Sequence, residues 1–177
     1  ESGVNDQDVA LADLDAFLET VSREAGRDDE ARAQAIAVLT RLVDRRGPTG
    51  RLKRSAVVWA ATRALGRVFD DIRARPSARF VWVGHDAPLA RDVAPDTTVV
   101  IDARGFRPEG EGSLARAIVD LYRRGARRLV VAHARGHRFI GCGLGPQSDG
   151  LRIDVYGSPG DYLASGIDGA EIVVPAS

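Results

Sequence analysis

Hydrophobic residues before Pro76 recur every three or four places, which is the spacing typical of amphipathic helices. The pattern predicts three helices, at about residues 8–26, 29–46 and 52–75. Gly47 and Pro48 are expected to end the second helix, and Pro76 the third. The first helix carries an apolar stripe of Leu11, Leu14, Phe17, Leu18 and Val21. Because the connections are short, we expect a three-helix bundle with such stripes in its core. A helical hairpin that docks a partner subunit is the alternative.

After Pro76 short apolar runs replace the helical spacing. They predict strands at residues 80–83, 97–103, 127–132, 151–156 and 170–174. A helix at residues 113–124, capped by Ser113 and ended by Gly125, separates the second strand from the third and predicts a β-α-β unit. The chain therefore divides into a helical region, residues 1–76, and an α/β region, residues 77–177.

The two connectors between the last three strands resemble each other. When the first connector (residues 136–144) is set against the second connector (residues 159–167), Phe139 falls on Tyr162 at an offset of 23 residues. A repeat of roughly 20 residues, with one strand per repeat and glycine at the corners, indicates stacked coils of β-structure. The residues that carry the repeat are Gly136, Ile140, Gly143, Leu144, Gly160, Leu163, Gly166, Ile167 and Gly169. An ordinary glycine-rich β meander is the alternative.

The runs R-G-H-R-F-I-G-C-G-L, I-x-V-x-G-x-P-G-D-Y-L and G-I-x-G-A-x-I-x-V resemble the GXGXG domain. That domain is the right-handed β-helix found in the glutamate synthase large subunit and in one of the subunits of formylmethanofuran dehydrogenase. The resemblance covers about residues 97–174 and implies that the β-α-β unit leads into a short right-handed β-helix. Together with the preceding helical bundle, this gives an α+β chain. The family's helix has many more coils than the two to three that fit here. In both named proteins the domain is a scaffold without active-site residues.

Composition narrows the classes of partner. Lysine and arginine number 25 and so do aspartate and glutamate, so net charge indicates attraction to neither nucleic acid nor membrane. Cys142 is the single cysteine, which excludes an internal disulfide and favours a reducing compartment, the cytoplasm. No apolar run is long enough to span a bilayer. Methionine is absent even at position 1, and we expect an excised or processed piece of a longer chain.

The glycine-rich loop at residues 105–112, ahead of a helix, is a candidate phosphate-binding segment. It lacks both glycine fingerprints of nucleotide sites. Glu109 and Glu111 place negative charge where a phosphate would lie, and we expect them to satisfy the helix start themselves. Asp102 ends a buried strand two residues before Arg104, and an ion pair that fixes the loop is the simpler interpretation.

The remaining candidates are isolated groups. His133 and His137 have the spacing of a zinc pair, but that spacing converges only on a helix. His85 and Asp86 would need a distant nucleophile. Cys142 is flanked by glycines and is expected to be a small space-filling residue. Catalysis needs a reactive group with its orienting partner, so we predict no catalytic, cofactor-binding or metal-binding residue.

The leading hypothesis is a non-catalytic structural or assembly module of a glutamate synthase-like complex. Its partners would be other subunits or domains, or a second copy paired through the strand edge at residues 170–174, since an exposed strand edge invites pairing. The first alternative is a fragment of a glutamate synthase-like oxidoreductase or amidotransferase whose catalytic domains lie elsewhere. The second is a small α/β nucleotide- or phosphate-binding protein that uses Asp102 and the loop at residues 105–112.

Overall fold

The computed structural model describes residues 6–44, 49–89 and 91–175. This part of the chain forms two compact units, one extending to Asp71 and the other comprising Ile72–Pro175. It contains four helices and a five-stranded parallel sheet, so the α+β class expected from the sequence is confirmed. None of the helices in these ranges combines the length and the apolar character needed to cross a membrane.

Three helices precede the sheet: α1 (Asp6–Glu24), α2 (Asp29–Asp44) and α3 (Arg54–Ala74). The proposed end of α2 at Gly47 and Pro48 lies outside the described residues. Within the first unit, the guanidinium of Arg32 on α2 is buried and contacts Asp29 and Asp71, each at 2.9 Å. Since Asp71 lies on α3, a charged side chain that the apolar pattern ignores joins two helices.

The prediction that the whole apolar stripe of α1 is core is wrong. Leu18 is fully buried, but Phe17 is 48% exposed and Leu11 is 36% exposed. Adjacent helical residues point about 100° apart, so a helix that buries one narrow face at Leu18 turns Phe17 towards solvent.

The sheet contains β1 (Phe80–Val83), β2 (Thr98–Asp102), β3 (Arg128–Arg135), β4 (Arg152–Ser158) and β5 (Glu171–Val173). The helix α4 (Leu114–Arg123) connects β2 to β3. The strands lie in chain order and all neighbouring pairs are parallel. Every strand therefore ends at the same edge of the sheet, and we call this the carboxyl edge.

The core of the second unit lies on and around the central strands. All five residues of β2 are buried, as expected for a parallel strand covered on both faces. Helix α4 packs against this core through Leu114, Ile118 and Leu121. Ile153 of β4 is fully buried and pairs in register with Ile172 of β5. The last three strands therefore follow one another in a single sheet.

Candidate functional site

The two connectors lie one on the other. The rings of Phe139 and Tyr162 are parallel within 2°, with centroids 5.0 Å apart. Both residues have a φ of 61°, in the left-handed region that non-glycine residues rarely adopt. The same conformation at the same place in each connector brings the two rings into contact.

Backbone hydrogen bonds join the connectors along their length. Gly160 N donates to His137 O at 2.8 Å, and Phe139 N donates to Asp161 O at 3.0 Å. Ala164 N donates to Ile140 O at 2.9 Å. Each connector thus satisfies polar backbone groups of the other, as neighbouring strands of a sheet do.

The second connector and β5 form the outermost layer of this stack, which we call the outer layer. Tyr162 is 56% exposed on it. Behind it, Leu163, Ile167 and Ile172 are partly buried and pack against the core. No strand among the described residues pairs with the far side of β5. The outer layer therefore offers both an aromatic face and a strand edge.

The glycine-rich loop is held differently from the way the sequence suggested. Glu109 does not serve the start of α4. Its carboxylate accepts a hydrogen bond from Arg138 at 2.6 Å, and the backbone of Arg138 donates to Pro108 O at 2.9 Å. The side chain of Ser113 caps α4 by accepting from Arg116 N. The ion pair of Glu109 with Arg138 on the first connector is stronger than an interaction with the partial positive charge at the start of α4, so the loop packs against the first connector.

The predicted ion pair between Asp102 and Arg104 is confirmed. The Arg104 guanidinium donates to both carboxylate oxygens of Asp102, at 2.8 to 3.2 Å. Burial raises the pKa of Asp102, but hydrogen bonds from Arg104, its charge and that of His133 together outweigh burial and hold the pKa below its usual value. Asp102 is therefore a carboxylate at the carboxyl edge whose negative charge is balanced by the guanidinium of Arg104.

A cleft of about 660 Å³ opens at the carboxyl edge beside this pair. It is lined by Ala103, Arg104, Gly105, Phe106, Pro108, His133, Ala134, Arg135, His137, Gly157 and Ser158. These residues come from the ends of β3 and β4 and from the segments that follow β2 and β3. None of them is acidic, whereas two are arginines and two are histidines, so the walls favour an anionic ligand.

His133 and His137 both line this cleft. His137 is buried, and its Nδ1 accepts a hydrogen bond from Arg135 N at 3.0 Å. The Nε2 atom of His133 is shielded from solvent and has no hydrogen-bond partner in the described part of the chain. Nowhere in that part do three or more histidine, cysteine or acidic side chains come together as a metal would require.

The other candidates do not line the cleft, although the His85 ring contacts Phe106 of its wall, with ring centroids 5.5 Å apart. His85 contacts Asp86 at 2.9 Å, but the carboxylate is 99% exposed, and His85 lines a second, smaller cavity of about 140 Å³. The thiol of Cys142 donates to Tyr162 O at 3.1 Å and so belongs to the contact between the connectors.

The hydrogen bond between Arg135 and His137 and the anchoring of the loop by Arg138 were not predicted from the sequence. The position of the cleft could have been predicted from the order of the strands, because residues that follow adjacent parallel strands meet at one edge of the sheet. No local signal pointed to the pair of Arg138 and Glu109, which are 29 positions apart.

Comparison of the chain with protein-family models, with curated proteins and with solved structures finds no match.

Proposed function

We propose that this chain is a structural assembly module in which the last strands and connectors form the start of a right-handed β-helix. The observation that carries the proposal is the stacking of Phe139 on Tyr162, with equal φ angles and hydrogen bonds between the connectors. A repeating layer of this kind is extended by adding another like it, because each layer leaves the same groups open to the next.

The outer layer supplies the contact surface. Glu171 N donates to Leu151 O at 2.9 Å, towards β4. Backbone groups of successive strand residues point to opposite sides, so the amide of Ile172 faces the open edge. We infer that a parallel strand from a second copy or from another subunit pairs there, while an apolar side chain covers Tyr162.

Light scattering coupled to size-exclusion chromatography tests this proposal. We expect assemblies larger than a monomer, which Tyr162→Glu weakens because the change buries an unpaired charge at the contact. Phe17→Glu is the matched control, since Phe17 is also an exposed aromatic residue but lies on α1. Hydrogen exchange adds a second readout: in the assembly the amide of Ile172 should be protected as well as that of Glu171. A monomer in which only the Ile172 amide exchanges freely would contradict the proposal.

The resemblance supports a larger complex of the glutamate synthase type as the setting, and the lone Cys142 supports a cytoplasmic location. Coding sequence beside this one for a glutaminase or for a flavin and iron–sulfur domain would support that setting. We also infer that the three N-terminal helices form a bundle. The contact of Arg32 with Asp71 and a hydrogen bond of 3.4 Å from Arg67 to Ser22 support this inference.

A further inference from the structure

The cleft at the carboxyl edge has the position and the chemistry of a ligand site. In open α/β sheets ligands bind outside the carboxyl ends of the strands, at a reversal of strand order. This cleft lies at that edge in a sheet whose strands follow chain order without a reversal, so the case for a ligand depends on the chemistry of its lining. Its volume, about 660 Å³, lies within the range of small-molecule pockets and exceeds what a single inorganic ion fills. It lies in the second unit, and its lining includes no residue of the outer layer.

Two donors in the cleft are available to an anion. The side chain of Arg135 is exposed and has no ion pair or hydrogen bond to any described residue. His137 accepts from Arg135 N through Nδ1, so a neutral ring carries its proton on Nε2. An arginine beside a hydrogen-bonding imidazole is a combination suited to carboxylate or phosphate oxygens.

Asp102, at the end of β2 beside the cleft, does not oppose such a ligand. Asp102 is not part of the lining, and both of its oxygens accept hydrogen bonds from Arg104. The carboxylate is therefore neutralised by a cation that itself lies in the wall of the cleft.

His133, which lines the cleft, has a strained backbone conformation and a buried ring nitrogen without a hydrogen-bond partner among the described residues. The regular pairing of β3 with β4 is interrupted between Val131 and Ala134, and His133 lies in this bulge with a φ of 59°. Bulges and left-handed non-glycine residues concentrate at functional sites. The unpartnered Nε2 of His133 is a further cost, which a bound polar group or a water can relieve.

We propose that this cleft binds a small organic oxyanion, a carboxylate or a phosphate monoester, through Arg135 and His137. The anionic group accepts from the guanidinium of Arg135 and from Nε2–H of His137. The organic part lies along the remaining wall, which Phe106 and Pro108 make apolar.

Calorimetric titration of the whole chain at constant ionic strength tests the proposal. The probes are inorganic phosphate, a sugar phosphate and a dicarboxylate. We expect saturable binding of at least one organic probe, and the probe that binds identifies the class of anion. Arg135→Gln should weaken this binding about tenfold or more, since hydrogen bonds to charged groups contribute that much. His137→Asn should do likewise, because the asparagine Oδ1 can replace Nδ1 as the acceptor for Arg135 N, whereas its shorter amide group does not reach the position of the imidazole Nε2–H.

Arg128→Gln is the matched control. Arg128 begins β3 whereas Arg135 ends it, so both variants lose one exposed positive charge from the same strand. Unchanged affinity in Arg128→Gln supports a built site. The proposal is overturned if no probe saturates at millimolar concentration, if only inorganic phosphate binds, or if both arginine variants lose affinity equally. The exposed position of Arg135 keeps the test valid even if His137→Asn fails to fold.

Discussion

Replacing Gly160 by alanine tests the close approach of the two connectors. A Cβ at this position would lie 2.7 Å from Gly136 O and 2.9 Å from Gly136 C, with Arg138 Cγ at 3.0 Å. The first two are backbone atoms held by the hydrogen bond from Gly160 N to His137 O at 2.8 Å. The added methyl group therefore forces the connectors apart rather than displacing a flexible side chain.

The expected magnitude follows from two opposing effects. Overpacking of this kind costs about 1–3 kcal/mol, whereas Gly→Ala stabilises by about 0.4–1 kcal/mol through the unfolded chain. Gly160 lacks a positive φ, so no strain of the backbone angle adds to the cost. Gly84→Ala is the matched control, because its Cβ would meet only Trp82 Nε1 at 3.9 Å, an ordinary contact. We expect the two variants to differ by about 2 kcal/mol in free energy of unfolding.

Urea denaturation followed by the fluorescence of Trp82 measures this difference. Trp82 lies in the second unit, and Trp59→Phe removes the other tryptophan, which is 60% exposed in the first. With a slope of about 1–3 kcal/mol per molar urea, the midpoints should separate by about 1 M. If Gly160→Ala and Gly84→Ala unfold at the same midpoint, the connectors do not pack as described, and the basis of the assembly proposal is lost.

Two further predictions concern the carboxyl edge. Gly157→Ala should destabilise the second unit by about 3 kcal/mol or more, because a Cβ there collides with the carbonyl oxygen of Ala134 and φ is +116°. Thermal unfolding measures this loss of stability. A melting temperature like that of the parent chain would contradict the prediction. Arg104→Gln removes the guanidinium, whose hydrogen bonds and charge lower the pKa of Asp102, while burial, the backbone N–H of residue 104 and the charge of His133 remain. Carbon-detected NMR titration should therefore find the pKa of Asp102 higher than in the parent chain. The parent chain should be more stable than Arg104→Gln above the usual pKa of aspartate, and this difference in stability should disappear as pH falls through the folded pKa of Asp102. A difference in stability that does not change with pH would refute the role given to Arg104.

The elements of this fold could be predicted because each depends on neighbours in the sequence. The apolar run at residues 80–83 predicts β1 with its observed bounds, and the repeat predicts the pairing of Phe139 with Tyr162. The burial of α1 could not be predicted, because the spacing of apolar residues does not reveal how wide a face the rest of the unit covers. Leu11 and Phe17 belong to the stripe but lie at its exposed margin.

Arg138 illustrates why the site was harder to predict than the fold. Its guanidinium lies 5.2 Å from the ring centroid of Phe139 and 5.5 Å from that of Tyr162, and it also pairs with Glu109. The repeat predicts that Phe139 and Tyr162, the two rings that Arg138 contacts, align with each other. Glu109 reaches Arg138 only because the loop after β2 folds over the first connector. Pro108 of that loop lines the cleft, so one cation joins a wall of the proposed binding site to the stack proposed for assembly. The role of Arg138 depends on three segments that meet in space, and no periodic pattern within any one of these segments predicts it.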